Sequence, residues 1–196
     1  MTEMAVALLA PLAWLLGTFP TAIVVARARG RDVLGEGSGN PGASNIGRLL
    51  GWRWGILVLA GDFAKGAIAA GVGMLAGGRT GGLVLGVAAV LGHTFPLVRK
   101  GGKGVATAGG ALTVCYPIIS ALLAVVWFVV ARVLRKSSLA SLTITVAFPV
   151  LVVATGPTAG ELGIIVGLAG LIIFLHRENI GRLVRGEEHD IGGRSA

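Results

Sequence analysis

A chain of 196 residues that is 54% hydrophobic and only 13% charged, with 33 glycines and a mean hydropathy of +0.84, is not built for water, since a soluble domain is about one-quarter charged. A membrane β-barrel is excluded as well, because segments such as 118–130 are apolar on every side where barrel strands alternate. The net charge of +8 raises nucleic acid as a partner, but no aromatic-basic binding surface appears and retention of basic loops on one side of a bilayer explains the excess. The expected object is all-α: one membrane-embedded domain over residues 1–196, a polytopic helical bundle with no nucleic-acid partner.

The first apolar run, Met4 to Ala26, starts beside Glu3 and is followed by Arg27, Arg29 and Arg31. It reads as a retained span, because a cleaved signal carries its basic residues in front. The polar loop after it runs Gly37-Ser38-Gly39-Asn40-Pro41-Gly42-Ala43-Ser44-Asn45-Ile46-Gly47-Arg48. Its glycines let backbone N–H groups converge on an anion, and Arg48 can grip phosphate oxygens with a two-pronged guanidinium. A flexible turn would explain the glycines, but not Ser38, Asn40, Ser44, Asn45 and Arg48 packed among them. Gly37, Gly39 and Gly42 also spell a dinucleotide fingerprint, yet that motif needs a preceding strand in a βαβ unit, and here a membrane span precedes it. Ser38 has no acid-base pair nearby to make it a nucleophile and reads as a hydroxyl donor.

The second run, Trp54 to Ala76, holds Asp62 and Lys65 three residues apart, on one helix face. Near mid-bilayer such residues face the bundle interior or a wet cavity, and a self-neutralising structural ion pair is expected. The third run, Leu83 to Val98, leads into a loop with Arg99, Lys100 and Lys103 among Gly101, Gly102 and Gly104, directly before an apolar helix. Free N–H groups and the helix dipole favour an anion there. Gly104 stands where a Walker motif has Ser or Thr for Mg²⁺, so no nucleotidase is expected; His93, at an apolar end, reads as structural.

A short helix from Gly104 to Cys115 has about half of the ~20 residues a perpendicular span needs, and Pro117 can turn the chain after it. Cys115, the single cysteine, reads as a small buried apolar residue. Runs Ile118 to Val133, Leu139 to Ala154 and Leu162 to Leu175 follow. The polar stretch from His176 to Glu188 then places His176 and Asn179 on one helix face, where they point to ligand contact, while Arg185 snorkels at the lipid surface.

Of 17 Lys and Arg, fifteen fall in four groups, Arg27–Arg53, Arg99–Lys103, Arg132–Lys136 and Arg177–Arg194, leaving Lys65 and Arg79 outside. Cytoplasmic retention of all four gives about seven crossings, one of them short or a half-helix, with the N-terminus outside and the C-terminus cytoplasmic. Five spans, with 104–115 only dipping in, is the alternative.

Together, Gly37 to Asn45, Gly92-His93-x-Phe95-Pro96, Gly101 to Thr107, His176 to Leu183, the Asp62-x-x-Lys65-Gly66 element and Ser137-Ser138-Leu139 resemble the acyl-phosphate:glycerol-3-phosphate acyltransferase family of bacterial membranes, known as PlsY. The resemblance covers nearly the whole chain; Ser44 stands where the family usually has Thr, keeping the hydroxyl. It implies transfer of a fatty acyl group from acyl phosphate to the 1-hydroxyl of sn-glycerol 3-phosphate, giving lysophosphatidic acid and phosphate, the first step of phospholipid synthesis. It also implies a multi-pass protein of the bacterial inner membrane with its site on the cytoplasmic side.

The assignment that follows gives Ser38, Arg48, Lys103, His176 and Asn179 to glycerol 3-phosphate and to catalysis. Gly101, Gly102, Gly104, Val105, Ala106, Thr107 and Ser138 are given to acyl phosphate, with Asn40, Asn45, Asp62, Lys65 and Glu188 in support. A substrate phosphate is the implied proton acceptor, with His176 as the alternative base. No metal or other cofactor is expected from nine carboxylates and three histidines that form no ligand cluster. The chain lacks the His-x-x-x-x-Asp element of thioester-using glycerolipid acyltransferases, so the expected partners are acyl phosphate, glycerol 3-phosphate and membrane lipid. An organic-phosphate transporter is the rival reading; a CDP-alcohol phosphotransferase would need an aspartate array that the loops lack.

Overall fold

The computed structural model describes residues 2–191, and these fold into nine α-helices with no strand among them. Arg194, in the fourth basic group, lies outside the described residues. The first apolar run forms α1 (Thr2–Gly17) and α2 (Thr21–Ala28), interrupted because Pro20 disfavours helical backbone at Phe19. The two helices together make an apolar stretch of 27 residues. The amphipathic α3 (Ala43–Leu50) carries Arg48 on its last turn.

Helix α4 (Trp52–Thr94) has 43 residues, about 65 Å if straight and twice the hydrocarbon thickness. It is not straight. Gly77 and Gly78 leave helical φ/ψ, Gly78 at φ 63°, and the limbs 52–76 and 79–94 fold back on each other. The return is tight enough that a Cβ on Gly73 would lie 2.2 Å from the Gly81 carbonyl oxygen. These limbs are the second and third apolar runs, with one correction: the third ends as helix at Thr94 and not at Val98. Pro96 is again the cause, acting on Phe95.

The short helix predicted after Lys103 is α5 (Val105–Cys115), about 16 Å long. Pro117 opens α6 (Pro117–Leu134), at a position where its missing N–H would have had no helical partner. A turn through Arg135 and Lys136 leads to α7 (Ser137–Val153). Helix α8 (Ala159–Leu175) starts with a capping box: the Glu161 N–H donates to Thr158 Oγ (3.2 Å) and the Thr158 N–H to Glu161 Oε2 (3.0 Å). Helix α9 (Arg177–Val184) leaves α8 at a bend of 56°.

Leu83, Leu112, Leu123, Phe148, Ile165 and Leu168 join α4 to α8 in one buried core, which includes Cys115. Large apolar side chains also cover the outside, among them Leu8, Leu75, Ile118 and Phe128; their natural surroundings are lipid tails, as the all-round apolarity of the helices requires.

Apart from the buried Asp62–Lys65 pair within α4, charge is segregated to the two ends. At one end Arg79 pairs with Glu161 (Nε to Oε1, 3.0 Å) and stacks 5.1 Å from the Tyr116 ring centre. At the other, members of all four basic groups meet: Arg48 donates to the Asp190 carbonyl (3.0 Å), Lys136 pairs with the Asp190 carboxylate (2.6 Å), Arg182 pairs with Glu188 (2.8 Å), and Lys103 donates to Asn179 Oδ1.

Candidate active site

The loop between α2 and α3 is shaped by Asn45, whose side chain is spent on backbone. Its Oδ1 accepts from the Ser38 N–H (3.0 Å), and its Nδ2 donates to the Val33 and Glu36 carbonyls (3.2 and 3.1 Å). Gly37 has φ 60° and a Cβ there would lie 2.3 Å from Asn45 Oδ1, so both conformation and space demand glycine. Asn45 thus presents Ser38 and the start of α3.

Lys103 is held between glycines: Gly101 and Gly102 lie against the end of α4, and Gly104 takes the left-handed conformation (φ 79°) that launches α5. Its ammonium donates to Asn179 Oδ1, and Asn179 Nδ2 donates to Glu188 Oε1 (2.7 Å). Burial works against the Glu188 carboxylate, but hydrogen bonding from Asn179, Ser138 and Arg182 outweighs it and holds its pKa below the ordinary value. Glu188 therefore stays ionised and orients Asn179 and Arg182. The segment 186–191 lies across this end, tied by Asp190 to Arg48 and Lys136 and by the Ile191 N–H to the Arg135 carbonyl (2.7 Å).

His176 sits at the junction of α8 and α9, 4% exposed. Its Nδ1 lies 2.8 Å from the Ile172 carbonyl oxygen, which can only accept, so Nδ1 carries the proton and Nε2 is left as an acceptor. Ser138, on the first turn of α7, is buried, and its hydroxyl lies beside the Glu188 carboxylate and helps to keep it ionised. The Nη atoms of Arg48 have no hydrogen-bond partner among the described residues.

These side chains line one cavity of about 540 Å³. Ser38, Arg48, Lys103, His176, Asn179 and Ser138 are on its wall, as are Gly104, Val105, Ala106, Asn40, Asn45, Asp62 and Glu188. Gly101, Gly102, Thr107 and Lys65 are not; Gly101 packs on the His93 and Thr94 carbonyls, Gly102 on the His93 ring, and Lys65 lies behind Asp62 at 2.8 Å. From the polar end an apolar groove runs into the bundle between α4, α5, α6, α7 and α8, past Phe63, Leu112, Trp127, Ile144 and Phe148. Sequence reasoning did not single these out, nor His189, which lines the polar end. His189 directly follows Glu188 in a polar segment, a signal that was available.

Burial first, and then the charge of Arg182, pushes the Lys103 pKa down to about 8. The ammonium is the form present below that value and is lost above it. If it must be charged to hold an anionic acceptor, kcat/KM for that acceptor should fall above about pH 8, by about tenfold per unit once the loss of the proton is limiting. Lys103→Arg, which keeps its charge, should shift that limb up by more than one unit; a parent profile flat to pH 9.5 would contradict the requirement.

Fold and site together define an integral membrane protein with a cationic end that suits phosphate and a groove that suits a lipid tail. The glycerol-3-phosphate acyltransferase family model matches residues 7–186. Proteins of that name are similar throughout: that of Aquifex aeolicus is 39% identical over 90% of this chain and 94% of its own, and that of Desulforudis audaxviator is 38% identical over 96% of each. The crystal structure of PlsY (YgiH), an integral membrane glycerol 3-phosphate acyltransferase, in its glycerol 3-phosphate form superposes with a TM-score of 0.91 at 38% identity, covering 96% of each chain. Its lysophosphatidic acid form gives 0.88 at 37%, covering 95% of each. The chain belongs to the glycerol-3-phosphate acyltransferase family.

Proposed function

We propose that this protein transfers a fatty acyl group from acyl phosphate to the 1-hydroxyl of sn-glycerol 3-phosphate. The observation that carries the reading is a single cavity in which the Ser138 hydroxyl and the free polar atoms of Arg48 and His176 open onto the same apolar groove. Arg48, Lys103 and the Ser38 hydroxyl bind the acceptor's phosphate, with His176 and Asn179 orienting its glycerol hydroxyls. The Ser138 hydroxyl and the start of α5, at Gly104 to Ala106, hold the donor phosphate, the helix with its N–H groups and dipole.

The acceptor oxygen attacks the acyl carbonyl, the carbonyl–phosphate bond breaks, and phosphate leaves with the electron pair. The proton of the attacking hydroxyl passes to a substrate phosphate, with His176 Nε2 the protein group able to take it instead. Positioning is the main task, because two phosphate-bearing molecules repel each other. The basic end faces the cytoplasm of the bacterial inner membrane, with seven crossings, the N-terminus outside and the whole chain a single domain.

The test is detergent-purified protein supplied with glycerol 3-phosphate and either acyl phosphate or acyl-CoA. Lysophosphatidic acid and phosphate should appear with acyl phosphate alone; product from acyl-CoA at a comparable rate, or none from either, overturns the proposal. A sealed vesicle should not be required, which separates transfer from transport.

The lipid tail follows the α7 stripe of Ser141, Ile144, Thr145 and Phe148, and Phe148 lies about 15 Å along the helix from Ser138. Its ring, on the cavity wall, meets Tyr116 edge-on at 6.0 Å. Phe148→Ala should raise the kcat/KM ratio of longest to medium-length acyl phosphates by about tenfold, read from a chain-length series. An unchanged series would place the tail elsewhere.

A further inference from the structure

We propose that Lys65 and His93 are positioning residues for Lys103: a buried ammonium fixes the imidazole on which the glycine turn before Lys103 rests. This inference rests on the assignment of Lys103 to glycerol 3-phosphate.

The Lys65 ammonium occupies a nest of acceptors that would otherwise suit a bound cation. It lies 2.8 Å from Asp62 Oδ1, 2.9 Å from the Phe19 carbonyl oxygen, 3.3 Å from that of Gly17 and 3.2 Å from His93 Nδ1. Lys65 is 4% exposed and Asp62 2%. The Gly17 and Phe19 carbonyls are at the end of α1, where helical partners run out, so one side chain ties the α1 break to both limbs of α4. An ammonium only donates, so His93 Nδ1 accepts and the ring proton is on Nε2. The ring is thereby fixed in tautomer and orientation.

Nε2 faces Gly102. A Cβ on Gly102 would stand 2.2 Å from it, and one on Gly101 2.2 Å from the Thr94 carbonyl oxygen. The Gly102 N–H donates to the His93 carbonyl (3.2 Å). The turn is thus laid against the Nε2 edge of the imidazole and the last turn of α4, and the next residue is Lys103. A stretch with glycine at 101, 102 and 104 has little conformational preference of its own; its shape comes from what it rests on. Asp62 and Lys65 cancel in charge, so the cluster shapes the loop without itself competing for phosphate.

Kinetics of His93→Leu, His93→Asn, Gly102→Ala and Lys103→Ala in the detergent assay test the idea. His93→Leu, which removes the acceptor, should raise KM for glycerol 3-phosphate about tenfold, with KM for acyl phosphate and kcat at saturation within about twofold of the parent. His93→Asn, whose amide oxygen can accept from Lys65, should recover most of the loss. Gly102→Ala, which crowds the ring while leaving the ammonium nest intact, should reproduce the split and serves if His93→Leu does not purify folded. An unchanged KM for glycerol 3-phosphate, or equal rises for both substrates, overturns the inference. Lys103→Ala keeps the two ideas apart: if it leaves that KM unmoved, the assignment of Lys103 fails, whereas a raised KM there beside an unchanged one in the folded His93 and Gly102 variants overturns the positioning role alone.

Discussion

Alanine at Arg48 or at Lys103 is expected to lower kcat/KM more than a hundredfold while the protein still inserts and purifies as a folded species. Two unit charges about 5 Å apart at an effective dielectric near 20 interact by about 3 kcal/mol, and each cation faces phosphate groups that repel one another. Losing one cation therefore costs about two decades in rate by electrostatics alone, before any loss of orientation. The fold depends little on either. Among the described residues Arg48 makes one hydrogen bond, to the Asp190 carbonyl, and Lys103 one, to Asn179, so truncation of either charged donor should cost about 1.5–3 kcal/mol, within the total stability of a domain. Initial rates at saturating and limiting glycerol 3-phosphate, with size-exclusion profiles as the folding control, make the measurement. Near-normal activity in a folded variant removes that residue from the site.

Much of this arrangement is legible in the sequence. Positive charge close to span ends is retained on one side, and the structure gathers Arg48, Lys103, Lys136 and Arg182 at one end, with Arg79 at the other. The Asp62–Lys65 pair was legible from spacing alone, and α5 was visible as a run too short to span upright. Other features left no trace in the pattern. In lipid, helices are apolar all round, so nothing distinguished Phe63, Trp127 or Phe148, which line the groove, from Phe128, which faces outward. The attachment of Asp190 to Arg48 joins residues 142 positions apart, which no local periodicity encodes. Asn45 is expected in a supporting role, and the form of that support, an amide committed to three backbone groups, depends on the fold of the preceding loop.

Glycine count is likewise visible, but which glycines matter is not, and a large structural effect is expected at Gly110. A Cβ there would stand 1.9 Å from the Phe63 carbonyl oxygen, and one at Gly66 1.8 Å from that of Thr107. The obstacle in both cases is backbone, which cannot rotate aside, and the two contacts press α4 and α5 together reciprocally, as small residues do between membrane helices. Gly110→Val must push α5 off α4, at a cost of about 1–3 kcal/mol or more. Because α5 begins immediately after Lys103 and Gly104, its displacement carries the proposed phosphate-binding groups with it, and a shift of about 1 Å can cost two decades in rate. Gly110→Val should therefore lose both thermal stability and at least about a hundredfold in activity. Gly163→Ala and Gly167→Ala on α8, where a Cβ meets nothing within 4 Å, should keep full activity and gain about 0.5–1 kcal/mol from better helix propensity. Equal behaviour of Gly110→Val and the α8 variants in melting temperature and turnover would show that the α4–α5 contact does not set the site.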